Sequence, residues 1–200
     1  MNHTPQQQNK YVTAIVVSLI VFGLGVYMLP NVVRVRPLFC QLTALVTVIA
    51  AVFLLTRYKT TSFTYSIRPR SKMHEDTDME AALAGGYIPV TKLQPKYLDF
   101  TVSKKQGSRD PAMECVMGLD SLVSAIDICA SKPDARFRKC SDAISYAREK
   151  YGTVTLYDYT VTLGVDRSLL LLFREGETVA AIRIEPSSEM RDYLVSLVKE

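Results

Sequence analysis

The first sixty residues contain no Asp and no Glu, and their only Lys and Arg are Lys10, Arg34, Arg36, Arg57 and Lys59. All 20 acidic side chains therefore fall in residues 61–200, which the remaining Lys and Arg leave close to neutral although the whole chain carries +4. The basic excess belongs to the N-terminal segment. A nucleic-acid partner, the usual reading of a basic chain, is not expected.

Histidine is almost missing, with only His3 and His74. Cys40, Cys115, Cys129 and Cys140 show no CxxC spacing, and Cys40 lies in an apolar run. A disulfide framework or zinc knuckle needs closer or paired spacing. Buried free thiols in a reducing compartment are the plainer expectation. A catalytic thiol needs an activating base, and His74 is the sole candidate. GxSxG, Walker and GxGxxG patterns are absent. His74-Glu75-Asp76-Thr77-Asp78 lacks the glycine and final Glu of a calcium loop, so it reads as a charged helix start. No catalytic residue, metal ligand or cofactor is expected.

What the first sixty residues do have is two uncharged apolar runs, Tyr11 to Leu29 and Pro37 to Thr56, separated by a short loop that carries Arg34 and Arg36. At 1.5 Å per residue each is long enough, as a helix, for a hydrocarbon core of roughly 30 Å. Ala14 and Ser18 in the first run, and Thr43, Thr47 and Ala51 in the second, recur at i, i+4. Such small-residue stripes let helix backbones approach, with hydroxyls free to bond across. The first run is long for a signal core, and bulky Tyr27-Met28-Leu29-Pro30 offers no cleavage site, so a retained anchor is expected. Lys10, Arg57, Lys59, Arg68, Arg70 and Lys72 flank the outer ends, against Arg34 and Arg36 in the loop. That count predicts a two-pass hairpin with both termini cytoplasmic. The lipid bilayer is the first partner implied, with Lys10, Arg34, Arg36, Arg57 and Lys59 at its interfaces.

Residues 61–200 form the second predicted domain. Ser62 to Ile67 and Tyr97 to Ser103 alternate apolar and polar residues, as half-buried strands do, and Ala112 to Leu119 returns as a strand that forms a hairpin with the second of them. Leu122 to Cys129 reads as a strand or short helix-strand unit. Thr153 to Thr160, Ser168 to Phe173 and Thr178 to Ile184 are β-rich runs, and Glu175-Gly176 marks a tight turn between the last two. Helices are expected near 77–84, within a polar insertion over 72–95, and over 141–150, capped by Ser141 or Asp142 and ended by Gly152. A last helix over 187–199 carries Met190, Tyr193, Leu194, Leu197 and Val198 on one stripe, fit to cover an open sheet end. Many short antiparallel strands closed by a terminal helix most economically build a small barrel or sandwich, an α+β class once the anchor is added. Tyr151, Tyr157 and Tyr159 are expected to pack on the sheet.

Six stretches carry a resemblance: Phe63-Thr64-Tyr65; Phe100 to Gly107; Gly118 to Leu122; Tyr157-Asp158-Tyr159; Leu170 to Phe173; and Ile184 to Met190. With these the chain is similar to small, mostly uncharacterised bacterial two-pass proteins, and its soluble part resembles bacterial pleckstrin-homology-like domains. The resemblance implies a fold and a membrane address, but no substrate. In such domains a basic early hairpin binds anionic headgroups, which would make Lys104, Lys105 and Arg109 the candidate contacts. The expected function is a non-enzymatic binding or scaffold module held at the cytoplasmic membrane face, with a protein partner, itself or lipid as ligand. The alternative is an accessory subunit of a membrane transporter or enzyme whose site forms only with a partner chain.

Overall fold

The computed structural model describes residues 1–5, 10–29, 36–70 and 93–198. The helix expected near 77–84 and the His74 cluster lie outside these residues.

Two helices come first, α1 (Lys10–Met28) and α2 (Pro37–Leu55), packed against each other. Both are long and apolar enough to cross a membrane. Their bulky side chains point outward, with Val21, Phe22, Leu24, Phe39, Val46 and Phe53 all more than half exposed. Of the two expected stripes the second supplies the seam, through Thr47 and Ala51, and the first does not. Ala14 and Ser18 face outward, while Val12, Val16 and Gly23 of α1 are buried with Thr47 and Ala51 of α2. Nor do the hydroxyls bond across. Thr47 Oγ1 donates to the Thr43 carbonyl (2.8 Å) and Thr43 Oγ1 to that of Phe39 (2.9 Å), one turn back in the same helix. Apolar side chains suit a lipid face and a helix seam equally, so composition cannot rank the faces.

The strands form two four-stranded sheets. The first has the order β1-β2-β3-β4, with β1 (Asn2–His3), β2 (Thr61–Pro69), β3 (Leu98–Gln106) and β4 (Ala112–Gly118), all antiparallel. The second has the order β5-β7-β8-β6, with β5 (Leu122–Cys129), β6 (Val154–Asp158), β7 (Arg167–Glu175) and β8 (Thr178–Ile184). Among the described residues the strands do not close a barrel. The strands are mostly antiparallel, as expected, with one exception: β6 runs parallel to β8. Its chain returns over the sheet through α3 (Cys140–Tyr151), and such a crossover brings the next strand back in the same direction.

The inner faces pack together. Phe63, Tyr65 and Ile67 of β2 and Phe100 and Val102 of β3 meet Leu169, Leu171 and Phe173 of β7 and Ile182 and Ile184 of β8. Phe100 and Phe173 stack across the interface at 6.0 Å. The outer face of the second sheet is covered by Ala143, Ile144 and Ala147 of α3, which contact Leu170 and Leu172. β7 is thus buried on both faces, which is why Leu169 to Phe173 is one unbroken apolar run rather than an alternating one. α3 ends where expected, at Gly152 with φ +82°, but begins at Lys139 with no side-chain cap. Ser141 bonds Asp142 instead. The last helix, α4 (Ser188–Ser196), is capped by Ser187 Oγ, which accepts from the Met190 N–H (3.3 Å). It buries Met190 and Leu194 in the inter-sheet core, as its stripe requires.

Candidate functional site

No linker separates α2 from the sandwich. Its last turn passes into a π-helical turn at Thr56–Thr60, and Thr61 begins β2. Thr60 Oγ1 and Thr61 Oγ1 both donate to the Thr56 carbonyl, at 2.9 and 2.8 Å, which fixes the change of direction. Arg57 sits in this turn. Its guanidinium lies 5.3 Å from the Phe63 ring centre and 5.4 Å from that of Tyr58, within cation–π range. Nη2 donates to the Asp158 carbonyl (3.2 Å), while Nη1 is buried without a hydrogen-bond partner.

Arg57 borders a cavity of about 320 Å³. Its walls are Phe53 on α2, Phe63 on β2, Lys104 on β3, Glu114 on β4, and Asp158 and Tyr159 at the end of β6. Period-2 geometry puts Lys104 there: Phe100 and Val102 face inward, and Lys104 is the next residue on that face, directly across from Phe63. Lys104 Nζ lies 3.3 Å from Glu114 Oε1, and both side chains are 37% exposed, so the pair is easily opened. The Asp158 carboxylate is engaged: Oδ1 accepts from Thr160 N and Oγ1 (2.9 and 2.7 Å), and Oδ2 is 3.3 Å from Arg183 Nη1. Tyr159 packs edge-on against Phe63 at 5.3 Å, and burial pushes its phenol up to about 12. The charged walls balance, Arg57 and Lys104 against Glu114 and Asp158.

The three cations of the β3–β4 hairpin do not converge. Lys104 turns into the cavity, Lys105 lies on the outer face of the sheet, and Arg109 is exposed in the turn. The turn itself is beside the end of the anchor, since the Gly107 N–H donates to the Thr60 carbonyl (2.8 Å). Lys59 and Arg36 are exposed; Arg34 and the Lys10 side chain lie outside the described residues. Arg57, read as an interfacial flank, is the residue whose second role the sequence concealed. Nothing local announces that Asp158, a hundred residues on, will meet it.

A second cavity, of about 500 Å³, lies along β5 and is bounded by Asp127, Lys132, Asp134, Arg136, Tyr146 and Lys150. Arg136 is spent against the rings of Tyr146 (4.8 Å) and Phe137 (5.3 Å). All four cysteines are free thiols. Burial pushes Cys115 up to about 11 and Cys140 upward, which disfavours the nucleophilic thiolate at both. Among the described residues, no group of three or more His, Cys, Asp or Glu is placed to hold a metal. Of the expected tyrosine cluster, Tyr151 and Tyr159 are half-buried, whereas Tyr157 is exposed at the sheet edge.

No family model, curated protein or solved structure matches the chain.

Proposed function

We propose that the chain is a two-pass membrane protein whose sandwich works as a non-enzymatic binding module at the bilayer face, with the cavity between anchor and sandwich as its binding site. The linker-free passage from α2 through the π turn into β2 carries this reading. It holds the cavity within one helical turn of Phe53, an outward-facing aromatic of the anchor. β1 adds a constraint on topology. Asn2 and His3 pair with Ser66 and Tyr65, and the N-terminal ammonium donates to the Ile67 carbonyl (3.1 Å), so both ends of the hairpin start from the same side. The excess of Lys and Arg at those ends favours the cytoplasm for that side. The domain is taken as pleckstrin-homology-like on the strength of a C-terminal helix packed on a strand sandwich. Alkaline carbonate extraction of cell membranes tests the anchoring. The full chain should stay in the pellet, and release into the supernatant would refute it.

A second reading, an accessory subunit, is favoured by a different surface. The free edge strands β4 and β6 expose Met113 and Val116, and Leu156 and Tyr157. Unpaired edges with apolar side chains are templates for another chain. Crosslinking in native membranes from a photoreactive residue at position 156 tests it, a discrete adduct being the expected result and no adduct the contrary one.

A further inference from the structure

We infer that the outer edge of β5 binds an extended acidic segment of a partner protein, which joins the second sheet as an added strand. This edge is the one opposite β6, away from the anchor cavity. The groove of about 500 Å³ beside it is bordered by Ser124, Ala125, Ile126 and Asp127 in succession. Successive residues of a strand point to opposite faces, so a cleft on either face meets every second one. A cleft that meets four in a row lies along the edge, against the backbone.

The ladder says which backbone groups are there. The Ala130 N–H turns toward β7 and donates to the Asp166 carbonyl (2.8 Å), while the Cys129 N–H turns away and donates to that of Phe137 (3.1 Å). Antiparallel pairing alternates in this way along a strand, so the N–H groups of Asp127 and Ala125 also point away from β7. Among the described residues no acceptor meets either of them. Phe137 takes the neighbouring strand position at one point only, its parallel bridge to Ile128. The next strand is thus begun at Ile128 and missing over 124–127, which leaves a template for another chain.

Charge selects the occupant. Lys132, Arg136 and Lys150 border the groove, and none of them is in an ion pair among the described residues. The rings beneath Arg136, and Tyr151 beneath Lys150 (5.1 Å), hold these cations without removing their charge. Of the two carboxylates, Asp127 is taken by Arg167 (2.9 Å) and Arg191 (3.5 Å), which leaves Asp134 alone against three cations. An acidic strand meets that excess. A second copy of β5 would set the same cations against each other.

The test titrates the full chain, in a maltoside detergent, into a fluorescein-labelled peptide of alternating Glu and Val. The controls are a Lys–Val peptide and two Glu–Val peptides, N-methylated on the Glu or on the Val residues. The Glu–Val peptide should bind about tenfold more tightly than the Lys–Val one, and K132E should lower its affinity by about the same factor. At least one N-methylated peptide should lose binding, because a strand turns alternate N–H groups to opposite edges. A125P removes an outward N–H from an edge strand, where Pro is tolerated, and should weaken binding about tenfold. Should A125P fail to fold, the N-methylated peptides decide on the unaltered chain. Equal binding of the Glu–Val and Lys–Val peptides, no binding of the former, or no loss on either N-methylation overturns the inference. Peptide-free dimers in sedimentation that A125P dissolves would give the edge to a second copy and overturn it too.

Discussion

The Tyr65 hydroxyl donates a 2.7 Å hydrogen bond to the carbonyl of Tyr159 and so ties the middle of β2 to the far sheet. The same oxygen accepts from the Glu185 N–H at 3.3 Å, just beyond β8. The Glu185 carboxylate in turn accepts from the N–H groups of Val161 and Thr162 (2.9 Å each) and from Thr162 Oγ1 (2.8 Å). One fully buried phenol and one carboxylate therefore hold β2 and the segments following β6 and β8 in a single knot. Burial pushes the phenol's pKa up, so it stays a donor at any working pH.

Tyr65→Phe removes this tie and leaves a carbonyl and an amide without their partner. The expected loss is about 1–3 kcal/mol of stability, the cost of unsatisfied buried groups. Urea unfolding of the full chain in detergent measures it, and an unchanged midpoint would show that the phenol does not join the sheets.

Acid should loosen the opposite corner. Arg70, just after β2, bonds Asp99 (2.9 Å) and Asp120 (2.8 Å), and the hydrogen bond from Arg70 holds the Asp120 carboxyl below its ordinary value of 3.8. A group whose folded pKa is depressed stabilises above its unfolded pKa, and that contribution disappears as pH falls through the lower, folded value. Stability should therefore drop below about pH 4, by under about 1 kcal/mol, because the Asp120 side chain is 47% exposed. Asp120→Asn should remove this part of the pH dependence in thermal melts from about pH 6 down to about pH 2, a range that brackets the ordinary carboxylate pKa and the lower folded one. A variant with the parental profile would contradict it.

Gly118 is needed for the same bridge. Its backbone is extended (φ −66°, ψ 132°), which any residue adopts, but a Cβ there would strike the Arg70 guanidinium and the Asp120 carboxylate. Gly118→Ala should cost about as much as Asp120→Asn. The double variant should be little worse than either, since both break one contact. Additive losses in unfolding midpoints would refute this.

The pairing of β1 with β2 fixes relative topology. Cysteines introduced at Asn2 and Ser108 should react with an impermeant maleimide from the same side of sealed vesicles, and one introduced at Asn31 from the other. Labelling of positions 2 and 108 from opposite sides would break the pairing of Asn2 with Ser66.

How much of this was legible beforehand depends on the range of the interaction. The run from Ser168 to Phe173 announced a strand, but its burial on both faces, by the core and by α3, came only with the tertiary structure. The stripe from Met190 to Val198 announced α4, and Ser187 its cap. Lys104 could have been assigned to the inner face by counting from Phe100 and Val102, but taking the hairpin cations as one patch obscured it. The Ala14/Ser18 stripe misled because lipid and helix seam accept the same side chains. Asn2 and His3 gave no strand signal at all, since two residues have no period and pairing with β2 alone makes them one.

Sequence alone determined the elements with local causes: two apolar helices of spanning length, most of the strands, the terminal helix, and a basic excess confined to the flanks of the apolar runs. These follow from contacts between near neighbours along the chain and from transfer of side chains out of water. The tertiary structure alone decided the parallel pairing of β6, the open sandwich with β4 and β6 at sheet edges, the helix seam, and the meeting of Arg57 with Asp158 beside Lys104 and Glu114. Those depend on which distant surfaces come together, and period and composition are the same for every such choice.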